Sequence, residues 1–258
     1  MKKIISIFTI IIVAVTLVSC DVKFGVKEVN ESYEKEINEV VSLNDIDTIK
    51  IKVEIGEINI DTYDGEELKI TGSLGKRSDK YSIYNKSGII EFEAKSKSKL
   101  TLSNSDDTTK ISVLVPNSYK SDFKIETGAG AADISNISAK KLEVDAGAGD
   151  IVIQNIKFDN LEYDAGVGST KIRLNEAVGD IDISGGVGDI LVELSEVGGD
   201  LTCDAGVGST KIKIPENAPV KFNKQSGIGD CDINVTTSGE DKYTFKLSVG
   251  VGEIEVYN

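Results

Sequence analysis

The 258-residue chain carries 43 acidic and 29 basic side chains, a formal net charge of −14. That balance disfavours nucleic acid, whose phosphates reward basic patches. The chain has no histidine and no tryptophan, which excludes an imidazole general base, a Ser-His-Asp triad and a histidine metal ligand, while its 40% apolar content fits a folded chain of one elongated domain.

The chain opens MKKIISIFTIIIVAVTLVSC. Lys2 and Lys3 make a positive start, and Ile4 to Val18 is almost wholly apolar. That run is short of the about twenty residues a spanning helix needs, and it ends in small residues as a secretory signal does. Leu17-Val18-Ser19-Cys20 resembles the lipobox of bacterial lipoproteins. The resemblance implies a cleaved signal peptide at 1–19 and a lipidated Cys20, whose palmitate-type acyl chains hold the protein on the extracytoplasmic face of the bacterial cell membrane. Acyl chains contribute about 0.8 kcal/mol per buried methylene, so a two-chain lipid holds far better than one. Cleavage would leave 239 residues with a net charge of −16, which keeps the domain off anionic headgroups unless divalent cations intervene.

Residues 20–42 are charged and weakly patterned, and read as a tether that ends in a first strand. The remainder, 43–258, reads as a single β domain, irregular over 43–122 and regular over 123–258. IKIKVEIGEINI, from Ile49, alternates with period two on either side of a glycine and is an outlying copy of the later repeat. LKITGSL, YSIYNKSGIIEFEA and KISVLVP read as strands between Gly, Ser, Asn and Asp turns. No segment shows helical periodicity with caps.

From residue 123 one phrase recurs seven times, with first glycines at Gly128, Gly147, Gly166, Gly186, Gly206, Gly227 and Gly250, 19 to 23 residues apart. Self-similarity at a fixed period near twenty marks a solenoid. Five residues before each first glycine stand Phe123, Leu142, Leu161, Ile181, Leu201, Phe222 and Phe245; three before stand Ile125, Val144, Tyr163, Ile183, Cys203, Lys224 and Leu247. Ala129, Ala148, Val167, Val187, Val207, Ile228 and Val251 follow the first glycine on the same parity, and are expected to face inward with them. Six after it the apolar set resumes on the other parity, from Ile134 to Val256. The slip of one places a corner at the second glycine, Gly130, Gly149, Gly168, Gly188, Gly208, Gly229 or Gly252, where glycine supplies backbone angles other residues resist. Strand, corner, strand and polar turn every twenty residues or so make one coil of a parallel, right-handed β-helix, with equivalent residues stacked about 4.8 Å apart. A hairpin meander would reverse the phase of alternate units and so could not keep one residue type per column.

Cys203 and Cys231 occupy core columns and read as small buried hydrophobes on different strands of different units, so no disulfide is expected between them. Lys224 breaks its apolar column; either it lies outward at a bulge or its stem lines the core while its amine escapes. DAGVGSTKIRL at 164–174 returns as DAGVGSTKIKI at 204–214, and the position after the corner alternates Asp150, Ser169, Asp189, Ser209, Asp230. Alternation keeps like charges about 9.6 Å apart rather than about 4.8 Å.

Three constellations could carry chemistry. The Gly-x-Gly copies lack the third glycine and following helix of a dinucleotide fingerprint. Glu126, Asp145 and Asp164 stack in adjacent coils and form a candidate Ca²⁺ site, Ca²⁺ taking six to eight oxygens; a solvated acidic face explains them as well. Carboxylate pairs of the kind that β-helical carbohydrate-active enzymes use are abundant, but none departs from the repeat, and no catalytic residue is assigned. The first-glycine column is expected to face outward as a flat stripe of bare backbone. The chain stops at Asn258 after the last coil, an open end expected to self-associate, with Glu253 and Glu255 as edge blockers.

KISVLVPNSYKSDFKIETGAGAADIS at 110–135, with the later GAGDIVI, GVGDILV and GIGDCDI, resembles the DUF4097 family of bacterial β-strand-repeat adhesins, related to the head domain of DUF2807 proteins. The resemblance implies a β-helix, an envelope location, and for some relatives a tie to envelope-stress signalling; it carries no catalytic residue. The chain is therefore expected to be a non-enzymatic, lipid-anchored structural or interaction module. Its partners would be the membrane through Cys20, an envelope protein or polymer, and a second copy through the C-terminal coil. A calcium-dependent surface adhesin and a β-helical carbohydrate-active enzyme are the alternatives.

Overall fold

In the computed structural model, which describes residues 32, 33, 35–97 and 108–258, every regular element among the described residues is a strand. In chain order these are β1 (Glu36–Ser42), β2 (Thr48–Ile55), β3 (Glu57–Tyr63), β4 (Glu67–Ser73), β5 (Ser78–Lys86), β6 (Ile89–Ser96), β7 (Lys110–Pro116), β8 (Asp122–Ala129), β9 (Ala132–Ser135), β10 (Ser138–Ala148), β11 (Ile151–Gln154), β12 (Lys157–Asp164), β13 (Val167–Leu174), β14 (Asp180–Ser184), β15 (Val187–Leu194), β16 (Leu201–Lys213), β17 (Val220–Ser226), β18 (Asp230–Asn234) and β19 (Tyr243–Tyr257). The fold is all-β and rich in parallel pairs. Residues 36–42, at the end of the sequence-assigned tether, are strand β1, so the folded part begins before residue 43. The signal peptide and Cys20 lie outside the described residues.

The strands form two parallel ladders joined through the glycine corners. In the first, Ile90, Ile49, Phe123, Leu142, Leu161, Ile181, Leu201, Phe245 and Phe222 stand in register, one per rung. In the second, Val113, Ile60, Ile134, Ile153, Ile172, Val192, Ile212, Val256 and Ile233 do the same. All but Phe222 and Ile233, on the outermost rung, are buried. Stacking follows from this: each rung buries several apolar side chains only against the rungs above and below, at roughly 1.5–3 kcal/mol each. The outlying copy at 49–60 is a true rung, with Ile51 beside Ile125 and Ile58 beside Ala132.

The rungs are not stacked in chain order. The C-terminal strand β19 lies between β16 and the β17/β18 rung: Phe245 pairs with both Leu201 and Phe222, and Ile254 with both Thr210 and Cys231. This corrects the expectation of an open C-terminal coil. Glu253 and Glu255 are interior to the ladder, beside Ser209 and Lys211 on one side and Asp230 and Asp232 on the other. At the other end the β2/β3 rung is likewise held between β6/β7 and β8/β9. A terminal rung bonded on both edges cannot fray as an exposed edge strand would. Antiparallel strands finish this end, β5 on β6 and β4 on β7 with β1 beyond it. The Tyr81 hydroxyl donates to Glu39 Oε1 at 3.0 Å, tying β5 to β1.

Lys224 sits on the outermost rung, and its ammonium donates to the Cys231 carbonyl at 3.0 Å. It reaches from one ladder to the other where no further rung follows, a polar closure for an apolar column.

Candidate functional site

The glycine corners organise the outer surface. At Gly149 and Gly168, φ is 141° and 146°, a region from which a Cβ is excluded. A Cβ on Gly149 would overlap the carbonyl oxygen of Gly130 on the preceding rung, and one on the first glycine, Gly166, would overlap that of Gly147. Both glycine columns therefore point along the stack rather than outward, so the expected stripe of bare backbone is replaced by close rung-to-rung packing. Gly229 departs from the other second glycines in lacking a positive φ.

With the two flanking glycines aimed along the stack, the residue between them is turned outward. This overturns the inward placement of Ala129, Ala148, Val167, Val187, Val207, Ile228 and Val251. Val167, Val187, Val207 and Val251 are 59%, 51%, 48% and 48% exposed and stand in register; Ile228, whose amide donates to the Gly250 carbonyl, ends the column at 89%. The result is an apolar ridge along the corner edge, falling to alanine at Ala148 and Ala129. Two outward columns border it. Three residues before each ridge position stand Asp164, Ser184, Asp204, Ser248 and Gln225; two after stand Ser169, Asp189, Ser209, Glu253 and Asp230. Each of these five rungs thus carries one acid and one hydroxyl or amide across the ridge. The expected separation of like charges after the corner holds from Asp150 to Ser209 and ends where Asp230 meets Glu253.

Behind the corner lies a cavity of about 20 Å³ lined by Tyr163, Thr170, Ile190 and the glycines, room for about one water. The Tyr163 hydroxyl is hydrogen-bonded to the Thr170 hydroxyl, and burial pushes the phenol up, opposed by that bond. Tyr163 thereby spans from the first ladder to the second within the core.

The acidic column is in register as expected, Glu126 beside Asp145 and Asp145 beside Asp164, but lysines occupy it. Lys124 lies 3.7 Å from Glu126 and 3.1 Å from Asp145 and is bonded to Glu143, and Lys50 Nζ is 3.1 Å from Glu126. The bond to Glu143, then the contacts to Asp145, hold the Lys124 ammonium well above the ordinary lysine range; the same bond holds Glu143 below the ordinary carboxylate range. Among the described residues no group of three or more Cys, Asp or Glu side chains is placed to hold a metal ion. Farther along the same face the compensation is incomplete. Partial burial, then Asp204, Glu162 and Asp164, push the Asp182 carboxyl up.

Cys203 and Cys231 are both free and buried, and burial pushes the Cys203 thiol up to about 12, the signature of an inert thiol. The sequence reading missed a second ladder at the polar turn. Asn136 and Asn155 adopt φ of 60° and 53°, Asn175 Nδ2 donates to Asn155 Oδ1, and Asn136 Nδ2 donates to Asp61 Oδ1 at 2.8 Å. Asparagine is the residue that tolerates this conformation and bonds locally; its recurrence at 136, 155 and 175 was the available signal. Among the described residues no helix is long and apolar enough to cross a membrane.

The family described as Toastrack DUF4097 matches residues 46–172 and again 134–256. Together the two matches run through nearly all the described rungs, and the chain belongs to this family. No curated protein matches the chain. Among solved structures it is similar to a protein of Bacteroides fragilis NCTC 9343 named provisionally as an adhesin, at 19% identity and a TM-score of 0.46, over 86% of this chain and 97% of that one. It is also similar to a protein of Parabacteroides distasonis ATCC 8503 named in the same way, at 18% identity, a TM-score of 0.44 and coverage of 86% and 97%. A third is a provisionally named cell adhesion protein of Clostridium sporogenes ATCC 15579, at 15% identity, a TM-score of 0.39 and coverage of 87% and 99%.

Proposed function

We propose that the chain is an adhesin-like interaction module of the bacterial envelope, tethered to the membrane through lipidated Cys20, whose rungs wind as a right-handed parallel β-helix. Support for the winding is the register of two parallel ladders together with the right-handedness of parallel crossovers in general. A binding rather than a catalytic role rests on one observation: the exposed apolar ridge, bordered by polar columns, that repeats down the glycine corner. Contiguous exposed apolar surface of this kind marks interaction sites. Calcium is not needed to account for the acidic column, since Lys50 and Lys124 already neutralise its upper part.

Two experiments test the reading. The full chain is expected to incorporate labelled fatty acid and Cys20→Ser to incorporate none; equal incorporation in both, or none in the unaltered chain, would defeat the tether. A photo-crosslinking residue in place of Val187 is expected to capture protein or polymer on intact cells that the same residue in place of Lys213 does not. Equal capture at both positions would remove the ridge as the binding surface.

A further inference from the structure

Eight large hydrophobic side chains are exposed among the described residues, and five of them, Val167, Val187, Val207, Val251 and Ile228, form the ridge. They run in one contiguous column, the kind of exposed apolar patch that marks an interaction site on a monomer. We propose that the ridge is the contact of a parallel homodimer, two copies lying side by side with ridges facing and stacks running in the same direction. This rests on the reading of the ridge as the interaction surface and names its occupant.

The spacing selects another stack of rungs. Ridge side chains repeat about every 4.8 Å, whereas one face of an extended strand repeats about every 6.7 Å and a helix turn every 5.4 Å or so. A strand laid along the ridge would lose register within about two rungs and a helix would be out by about half a repeat over the five, while a second ridge keeps it throughout.

The bordering columns then select the symmetry. A two-fold axis parallel to the stack exchanges the two sides of the ridge at constant height. Because each rung has one acid and one hydroxyl or amide across the ridge, every carboxylate meets a neutral group: Asp164 faces the partner's Ser169, Asp189 the partner's Ser184, and Asp204 the partner's Ser209. A two-fold perpendicular to the ridge through Val207 would set Asp204 against the partner's Asp204 and Asp189 against the partner's Glu253; one midway between Val187 and Val207 matches acids to neutral groups on the four valine rungs but sets Ile228, the most exposed ridge residue, against the partner's Ala148 and Asp150 against the partner's Asp230. Like charges opposed across an interface act against association. On the rung where acids stand on both sides, Asp145 and Asp150, the ridge has already fallen to Ala148, so the two stacks need not touch there. The parallel arrangement also brings both β1 strands to one end, as two chains anchored in one membrane require.

The full chain bearing Val187→Cys or Val207→Cys, oxidised mildly on intact cells, is expected to give a disulfide-linked dimer in both cases. The unaltered chain, whose Cys203 and Cys231 are buried, and a Lys213→Cys control are expected to give none. Val207→Glu should lower the dimer fraction, read by a bifunctional crosslinker, at least tenfold while the far-UV circular dichroism stays unchanged. Absence of crosslinks at both ridge positions, or equal crosslinking at Lys213→Cys, overturns the homodimer. Crosslinking through Val207→Cys alone overturns the parallel geometry. Capture of another molecule at position 187 without any dimer overturns this inference and leaves the ridge as a binding surface.

Discussion

The rungs on the N-terminal side of the stack and those on the C-terminal side share a core but differ outside it. On the N-terminal side, lysine alternates with glutamate across the outer face: Lys50 with Glu91 and Glu126, Lys52 with Glu93, Lys124 with Asp145 and Glu143, Lys141 with Glu162 at 2.6 Å. The corner column there is Ala148, Ala129 and a half-buried Ile55, and antiparallel strands finish the end. On the C-terminal side Asp164, Asp182 and Asp204 crowd, with Lys246 as the cation that offsets Asp182, and the corner column is valine and isoleucine. A stack needs only its inner columns to match. Its outer columns are free to differ, and here one end is covered by antiparallel strands and laced with lysine pairs while the other keeps an acidic cluster and an apolar ridge exposed.

The comparison can be broken at what the two sides share. Gly149→Val places a side chain at a positive φ and against the preceding rung's carbonyl. It should cost at least about 3 kcal/mol, read as a lower urea midpoint. Tyr163→Phe, which leaves the Thr170 hydroxyl without its partner, should cost about 1–2 kcal/mol, seen as a lower melting temperature with unchanged circular dichroism.

The electrostatic contrast gives smaller and opposite effects. The raised Lys124 favours folding at all pH below the ordinary lysine value of about 10.4, and that stability is lost as pH rises through its higher folded value. The lowered Glu143 favours folding above about 4.3, and its share is lost as pH falls through its lower folded value. Lys124→Met should therefore cost about 1 kcal/mol on the plateau between them and flatten both flanks of the stability–pH curve. Asp182 has the other sign. Its raised carboxyl holds a proton longer in the folded chain, so stability falls as pH rises through that value. Asp182→Asn should stabilise the protein at pH 7 by no more than about 0.5 kcal/mol, and a loss of stability there would contradict the crowding.

Much of the interior was legible because a side-chain column is a periodic property. Leu142, Leu161, Ile181 and Leu201 recur at one offset, and they stand in one column. The corner failed to follow from parity because alternation holds only while the backbone stays extended. Two glycines, the second at positive φ, break that rule and turn Val187 out where alternation turns it in. Tyr163 looked like one more core residue, since nothing in its spacing shows a hydroxyl reaching Thr170 on the other ladder.

By itself the sequence determined the all-β class, the residues equivalent from rung to rung and the glycines at which the chain bends, because each follows from the period and from steric exclusion of a Cβ. Only the tertiary structure decided which rung neighbours which. Parallel ladders bond through the backbone, so nothing in the side-chain pattern of 243–257 distinguishes a place at the end of the stack from a place inside it. Bonding both edges of a terminal rung, rather than one, is what settled the choice.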